Sequence, residues 1–360
     1  MKVGLIIPFR ERCGINDYAR LLKAAFPGEM DLLPGLDFDC DEYDLVHVQY
    51  EPTLFRTGRR NPLPAFLKAC TVPVVATVHE VYETNPFIAP PPQGSGLVFQ
   101  AKKIAYRYRH RLELSEEAFE RARFHAQEII VHTAHARAIL VGRGCAEEKI
   151  TILPHPVFGT NSGDRDAGRA RWGNGDAPLV LHFGFITGVN DYETLLRAVS
   201  LAHAPVRLVL AGGIRREADE TIDREIDSAI ERLGIGERVV RPGYVRDGDL
   251  ADLFAAADLF ISTAKFKTSS GAVARALGAH VPVIATNLPF IQEINQESGC
   301  VKTYDAGDAQ ALAAAIDTLV EKKTNRMYRD LAARYAALHS LTSFALRHIE
   351  IYGRTSENHY

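Results

Sequence analysis

Leu259-Phe260-Ile261-Ser262-Thr263-Ala264 is followed by Lys267-Thr268-Ser269-Ser270-Gly271-Ala272-Val273-Ala274-Arg275-Ala276-Leu277-Gly278 and then by Val281-Pro282-Val283-Ile284-Ala285-Thr286-Asn287. An apolar run, a polar turn, a helix of small residues and a second apolar run read as strand, loop, helix and strand. Ser269-Ser270-Gly271 at the helix start offers backbone N–H groups, hydroxyls and the positive end of the helix dipole. Lys267 stands just before that start and Arg275 lies further along the helix. This arrangement suits a diphosphate. An ordinary serine cap is the plainer reading, but Ala272, Ala274, Ala276 and Gly278 favour a backbone packed close beside a ligand.

The same alternation runs through most of the chain. Strands are expected at Val3–Phe9, Asp44–Tyr50, Val72–His79, Glu128–Thr133 and Ile150–Val157. A second set is expected at Pro178–Phe185, Val206–Gly213, Arg238–Val245, Leu259–Ala264, Val281–Asn287 and Cys300–Tyr304. Gly4-Leu5-Ile6-Ile7 and Leu208-Val209-Leu210 are apolar at consecutive positions, as strands of a sheet covered on both faces must be. Strand–helix alternation of this kind predicts a doubly wound α/β fold. The polar, glycine-rich stretch Gly159–Gly168 reads as a linker between two halves of similar size. Ligands of such folds bind outside the carboxyl ends of the strands, which predicts a central cleft.

Composition narrows the function. The 360 residues carry 42 Lys and Arg against 45 Asp and Glu, a formal charge of −3. There is no basic excess of the kind that nucleic-acid backbone binding demands. Cys13, Cys40, Cys70, Cys145 and Cys300 are widely spaced and include no CxxC pair, so they read as reduced thiols and no zinc ligand set is expected. The apolar run Val3–Phe9 is stopped by Arg10, Glu11 and Arg12, too soon for a signal-peptide core. No run approaches the ~18 apolar residues that span a bilayer. A soluble, cytoplasmic protein is expected.

Six further stretches carry candidate chemistry. Cys13-Gly14-Ile15-Asn16-Asp17-Tyr18 follows the first strand, where Gly14 would let backbone approach a ligand and Asn16 or Asp17 could cap a helix. Val46-His47-Val48-Gln49-Tyr50-Glu51 and Val75-Ala76-Thr77-Val78-His79 each bring a histidine into an apolar strand. His79 ends its strand, where a sugar hydroxyl or phosphate could reach it. Gly243-Tyr244-Val245 closes another strand and could offer backbone groups to a nucleobase; plain α/β packing explains it equally well. Glu83–Leu97, rich in proline, reads as a functional or disordered loop beside the cleft. Beyond it, Lys102, Lys103, Arg107, Arg109 and Arg111 form either a solvated helix face or a dock for an anionic acceptor or membrane surface.

Together these stretches resemble the retaining nucleotide-sugar glycosyltransferases of the GT-B fold, group 1 or family 4, over nearly the whole chain. Cys13–Tyr18 is similar to the family's first glycine loop, and the two histidine strands to its N-domain histidine segments. Gly243-Tyr244-Val245 with Leu253–Leu259 resembles its GYV and ADLF run; Gly278–Thr286 resembles its G.PVIAT segment, with Glu293 downstream. The resemblance implies an acceptor-side domain at 1–160, a donor domain at 161–326, and C-terminal helices at about 327–355 returning to the first domain. It implies a UDP- or GDP-type sugar donor, with no cofactor and no metal. Gly243 and Tyr244 would flank the base, while Ser269, Ser270, Gly271, Lys267, Arg275 and Glu293 would complete the donor site. Gly14 would close over the phosphates and His79 would contact the transferred sugar, with Gln49, Glu51, Lys102 and Lys103 on the acceptor side.

The sequence also departs from the family. Lys267 and Arg275 stand where it typically has two glutamates, and Gly184–Asp191 lacks its usual Arg and Lys. Either Lys267 and Arg275 supply the positive charge from another side, or the protein is a non-catalytic partner that binds a sugar, a nucleotide or another transferase. A family branch with Ser-Ser-Gly before this helix is similar, and the transition state needs positive charge at the leaving diphosphate rather than one particular residue.

Overall fold

A computed structural model of the chain describes residues 1–8, 14–51, 55, 62–83, 96–98, 100–102, 104–105, 126–158, 163–173, 175–214 and 217–357. Their contacts divide the chain into two units, Met1–Pro154 with Leu341–Tyr360, and His155–Ser340.

The first unit is built on a six-stranded parallel sheet. Its strands are β1 (Lys2–Ile6), β2 (Glu29–Leu33), β3 (Leu45–Tyr50), β4 (Val74–Val78), β5 (Glu128–Val131) and β6 (Ile150–Ile152). Their order is β2-β1-β3-β4-β5-β6. The central strands β3 (LVHVQY) and β4 (VVATV) are buried at every position, which explains their unbroken apolar runs. Among such side chains lie a histidine, a glutamine and a threonine that must find partners inside. The helix Leu341–Glu357 completes this unit, with Phe344, Ile351 and Tyr352 in the core shared by Val3, Leu5 and Tyr18. Fully burying each such side chain contributes roughly 1.5–3 kcal/mol.

The second unit carries β7 (Leu179–Phe183), β8 (Arg207–Ala211), β9 (Val239–Gly243), β10 (Leu259–Ser262), β11 (Val283–Thr286) and β12 (Val301–Tyr304). Their order is β12-β11-β10-β7-β8-β9, again all parallel. The strand order therefore reverses between β1 and β3 in the first unit and between β7 and β10 in the second. These are the two topological switch points, where ligands of doubly wound folds bind.

Three differences from the sequence reading have physical causes. β2 (EMDLL) was not among the expected strands: it is an edge strand with only Met30 buried, so it lacks the apolar run of its neighbours. Of the glycine-rich stretch expected as a linker, residues 159–162 lie outside the described residues and 165–168 open the helix Arg165–Trp172, capped by Asp164. Gly168 serves close packing, since a Cβ on it would lie 2.3 Å from the Asp252 carbonyl oxygen. The helix Lys322–Leu338, expected to return to the first domain, packs in the second unit through Ala332 and Tyr335; the return is made by Leu341–Glu357. The free thiols of Cys40 and Cys70, thirty positions apart in sequence, meet in the first unit, and burial and that contact both push Cys70 upward. Among the described residues no helix is long and apolar enough to cross a membrane.

Candidate donor site and histidine cluster

In the second unit, β7, β8 and β9 end in glycines. Gly184 (φ 143°) and Gly243 (φ 69°) hold conformations that side chains disfavour. The Gly184 N–H donates to Ala211 O (3.0 Å), the Gly212 N–H to Gly243 O (2.9 Å) and the Ile186 N–H to Gly213 O (3.0 Å). Among the described residues, the carboxyl ends of these three strands thus meet backbone to backbone. Tyr244, next after β9, is 49% exposed, unusual for a large aromatic ring and well placed for a planar ligand.

At the switch point, the turn after β7 folds around the Tyr192 hydroxyl, which accepts from Thr187 N and Asn190 Nδ2 and donates to Phe185 O. The Asp191 N–H donates to Thr263 O and the Lys265 N–H to Val189 O, tying this turn to the end of β10. His182 is buried in β7, and its Nδ1–H donates to Ile261 O (2.9 Å). Its Nε2 and the Thr263 hydroxyl have no hydrogen-bond partner among the described residues. Burial pushes the His182 imidazole down to about 4, and the charge of Lys267 adds to that effect, so it is neutral at pH 7.

Lys267 and Ser269 are half-buried in the loop after β10. Ser270 caps the helix Gly271–Gly278, its Oγ accepting from Val273 N at 3.4 Å. Gly271 opens that helix; a Cβ there would make only ordinary contact with Phe158 and His155. The Arg275 guanidinium lies over the Phe158 ring, 4.8 Å from its centroid. Glu293 is half-buried in the helix Pro289–Ser298 that follows β11, and its charge helps raise the Tyr335 phenol, mainly shifted by burial. Gly243, Tyr244, Lys267, Ser269, Ser270 and Gly271 thus all follow the carboxyl ends of strands in one sheet.

The first unit gathers a polar cluster instead. His79, just past β4, is nearly buried, and both its ring nitrogens meet protein atoms: Nε2 lies 2.8 Å from Gln49 Oε1 and Nδ1 lies 3.2 Å from His132 Nε2. His132 Nδ1 lies 3.0 Å from Leu153 O. Gln49 Nε2 meets His47 Nε2 at 3.2 Å, and His47 also meets Thr77 Oγ1 (2.8 Å) and Tyr352 OH (2.6 Å). Tyr18 packs edge-on to His79, ring centroids 4.8 Å apart. Gln49, expected on the acceptor side, is wholly buried and holds two histidines. Glu51 is half-buried and Lys102 exposed; Lys103, residues 84–95 of the expected Glu83–Leu97 loop and most of the basic stretch lie outside the described residues. Gly14 opens the helix Gly14–Ala25, exposed. Among the described residues no group of three or more His, Cys, Asp or Glu side chains could hold a metal ion.

Residues 177–322 match the model of group 1 glycosyl transferases, and residues 18–157 match that of glycosyltransferase family 4. The chain belongs to the group 1, family 4 glycosyltransferases. Its sequence is 26% identical over 153 residues to a mannosylfructose-phosphate synthase of Agrobacterium fabrum, covering 40% of this glycosyltransferase and 34% of that protein. It is 25% identical over 302 residues to a D-inositol 3-phosphate glycosyltransferase of Xylanimonas cellulosilytica, covering 82% of this chain and 68% of that one. The crystal structure of Anabaena HepE with UDP-glucose superposes with a TM-score of 0.76 at 16% identity, covering 98% of this chain and all of that one. The fold is GT-B, with two Rossmann-like units.

Family membership does not by itself point to His182, Thr263, Gly212 or His132, and the sequence reading passed over all four. A histidine inside the apolar strand Leu179–Phe183 and the paired glycines at the end of β8 were the available signals. His132 had none, because its partner lies 53 positions away.

Proposed function

We propose that this glycosyltransferase moves a hexose-type sugar from a nucleotide diphosphate donor to a hydroxyl acceptor, with retention of anomeric configuration. The observation that carries this reading is the set of glycines that close β7, β8 and β9 beside the serine-capped helix start after β10. Backbone N–H groups, Ser269, Ser270 and Lys267 together suit a diphosphate, and the exposed Tyr244 suits a base. UDP and GDP are the favoured nucleotides.

In the proposed reaction the bond between the anomeric carbon and the diphosphate oxygen breaks, and its electron pair leaves with the nucleoside diphosphate. The acceptor hydroxyl oxygen forms the new bond on the same face and gives its proton to the departing phosphate. The developing negative charge meets Lys267 and the dipole of the helix Gly271–Gly278, so this chemistry uses no metal. Arg275 contributes charge from its seat on Phe158. Gly14 approaches the phosphates, and His79 contacts the transferred sugar. Glu51, Lys102 and Lys103 serve the acceptor, and the basic 102–111 stretch meets an anionic acceptor or membrane surface.

The direct test is thermal stability against UDP-, GDP-, ADP- and dTDP-sugars without added metal. A ligand at 100 times its dissociation constant adds ~2.7 kcal/mol to the folded state, a clear shift. Stabilisation by one nucleotide class supports the reading and names the donor; NMR of the product's anomeric proton then reports retention. A folded protein stabilised by none of them overturns it.

A further inference from the structure

His79 sits at the centre of a chain of hydrogen bonds that fixes where its protons lie. The Leu153 carbonyl can only accept, so His132 carries its proton on Nδ1 and presents a lone pair at Nε2. That lone pair faces His79 Nδ1 at 3.2 Å, so the proton between the two rings belongs to His79 Nδ1. On the other side, Gln49 faces His79 Nε2 at 2.8 Å. With its oxygen turned to the ring, the amide accepts from a doubly protonated His79. After a half turn its NH2 end donates to a neutral one, and the two orientations have the same shape. The half turn is matched beyond it: His47 Nε2 changes from acceptor to donor, and the Tyr352 hydroxyl at His47 Nδ1 changes with it from acceptor to donor. In both arrangements His79 Nδ1 is protonated, and His132 is the reason.

We propose that His132 is a positioning residue for His79, holding its proton on Nδ1 so that Nε2 is the nitrogen exchanged between Gln49 and a sugar hydroxyl. The ring is held in place as well, by Tyr18 edge-on at 4.8 Å and by His132 at a ring-centroid distance of 5.2 Å. The kinetic part of this inference rests on the reading of His79 at the transferred sugar; the tautomer part does not.

Two substitutions separate the bonds of His132. In His132→Asn the amide stands where Nδ1 was, keeping the Leu153 bond and losing His79. In His132→Gln the amide oxygen reaches the place of Nε2 and accepts from His79 Nδ1–H. The test uses the full-length enzyme, imidazole 15N NMR and steady-state kinetics. In the wild type at pH 7.5, His79 is expected to carry its proton on Nδ1. His132→Gln keeps this tautomer and most of the turnover. His132→Asn shifts His79 toward the Nε2–H tautomer and lowers kcat about 10- to 100-fold, the usual cost of losing the group that orients a functional histidine, with donor KM little changed. An Nε2–H tautomer in the wild type, or equal kcat in two folded variants, overturns the proposal. If His79→Ala leaves turnover intact, the reading of His79 at the sugar falls, and the NMR comparison alone then decides whether His132 sets the tautomer.

Discussion

A Cβ built on Gly212 would lie 1.7 Å from the carbonyl oxygen of Gly184, a separation no side-chain carbon can hold. The two glycines close the ends of β8 and β7 against each other, so the carboxyl edge is backbone on backbone. Gly212→Ala must move β7 or β8 apart, with an expected loss of about 1–3 kcal/mol, typical of overpacking, and with weaker nucleotide binding. Gly213→Ala is the control: its Cβ would meet the Tyr244 side chain at 3.5 Å, an ordinary contact. Urea midpoints of the two variants should differ accordingly.

Asp258 explains on structural grounds why the ADLF segment looks as it does. Its carboxylate accepts from Arg165, Arg169 and the Leu179 N–H, pinning the helix Arg165–Trp172 to the start of β7. Asp258→Ala leaves two arginines and a backbone N–H without this acceptor. The expected cost is about 2–4 kcal/mol in stability, read from urea unfolding, with donor affinity of the folded protein unchanged.

Lys267→Ala should weaken the donor's Kd by about 10- to 100-fold, the worth of a charged hydrogen bond, while the urea midpoint moves little. Calorimetric titration with the nucleotide identified by the stability panel reads this directly. Arg275 needs a subtler change, because its stem and plane also cover Phe158. Arg275→Leu keeps apolar cover and removes the charge; an affinity loss comparable to that of Lys267→Ala assigns the charge to the diphosphate.

Gly14 tests whether a backbone approach matters where no packing demands it. A Cβ there meets nothing within 4 Å. Gly14→Ala should leave the thermal midpoint unchanged or slightly raised, since alanine favours helix. Turnover should fall by at least about 10-fold, because a small displacement of the phosphates is costly.

Acid should loosen the first unit. Burial holds His132 and His348 at about 4 and His47 well below its ordinary value. The unfolded chain takes up protons on these imidazoles near 6.5 while the folded chain does not. Their contribution to stability is therefore complete above pH ~6.5 and lost as pH falls from there toward 4, on the order of 3 kcal/mol each for His132 and His348. Unfolding midpoints at pH 7.5, 6 and 5 should fall in that order. His348, whose Nε2 has no hydrogen-bond partner among the described residues, is the residue to remove: His348→Gln should flatten the acid limb by about one proton.

The alternation of apolar strands and helices, the two-unit plan and the serine-capped helix start after β10 were all legible in the chain itself. Each depends on neighbours within a dozen residues: a buried parallel strand is apolar at successive positions, and a helix start needs its cap beside it. The edge strand β2 was not legible because half-burial erases that signal. Nor was the helix Arg165–Trp172, whose Gly168 looks like linker until Asp252 and Ala256 are seen against it. What only the tertiary structure decided is which distant residues meet. His47, His79, His132, His348 and Tyr352 come from four separate segments, and Cys40 lies thirty positions from Cys70. Strand order and crossover length bring them together, and local hydrophobic periodicity encodes neither.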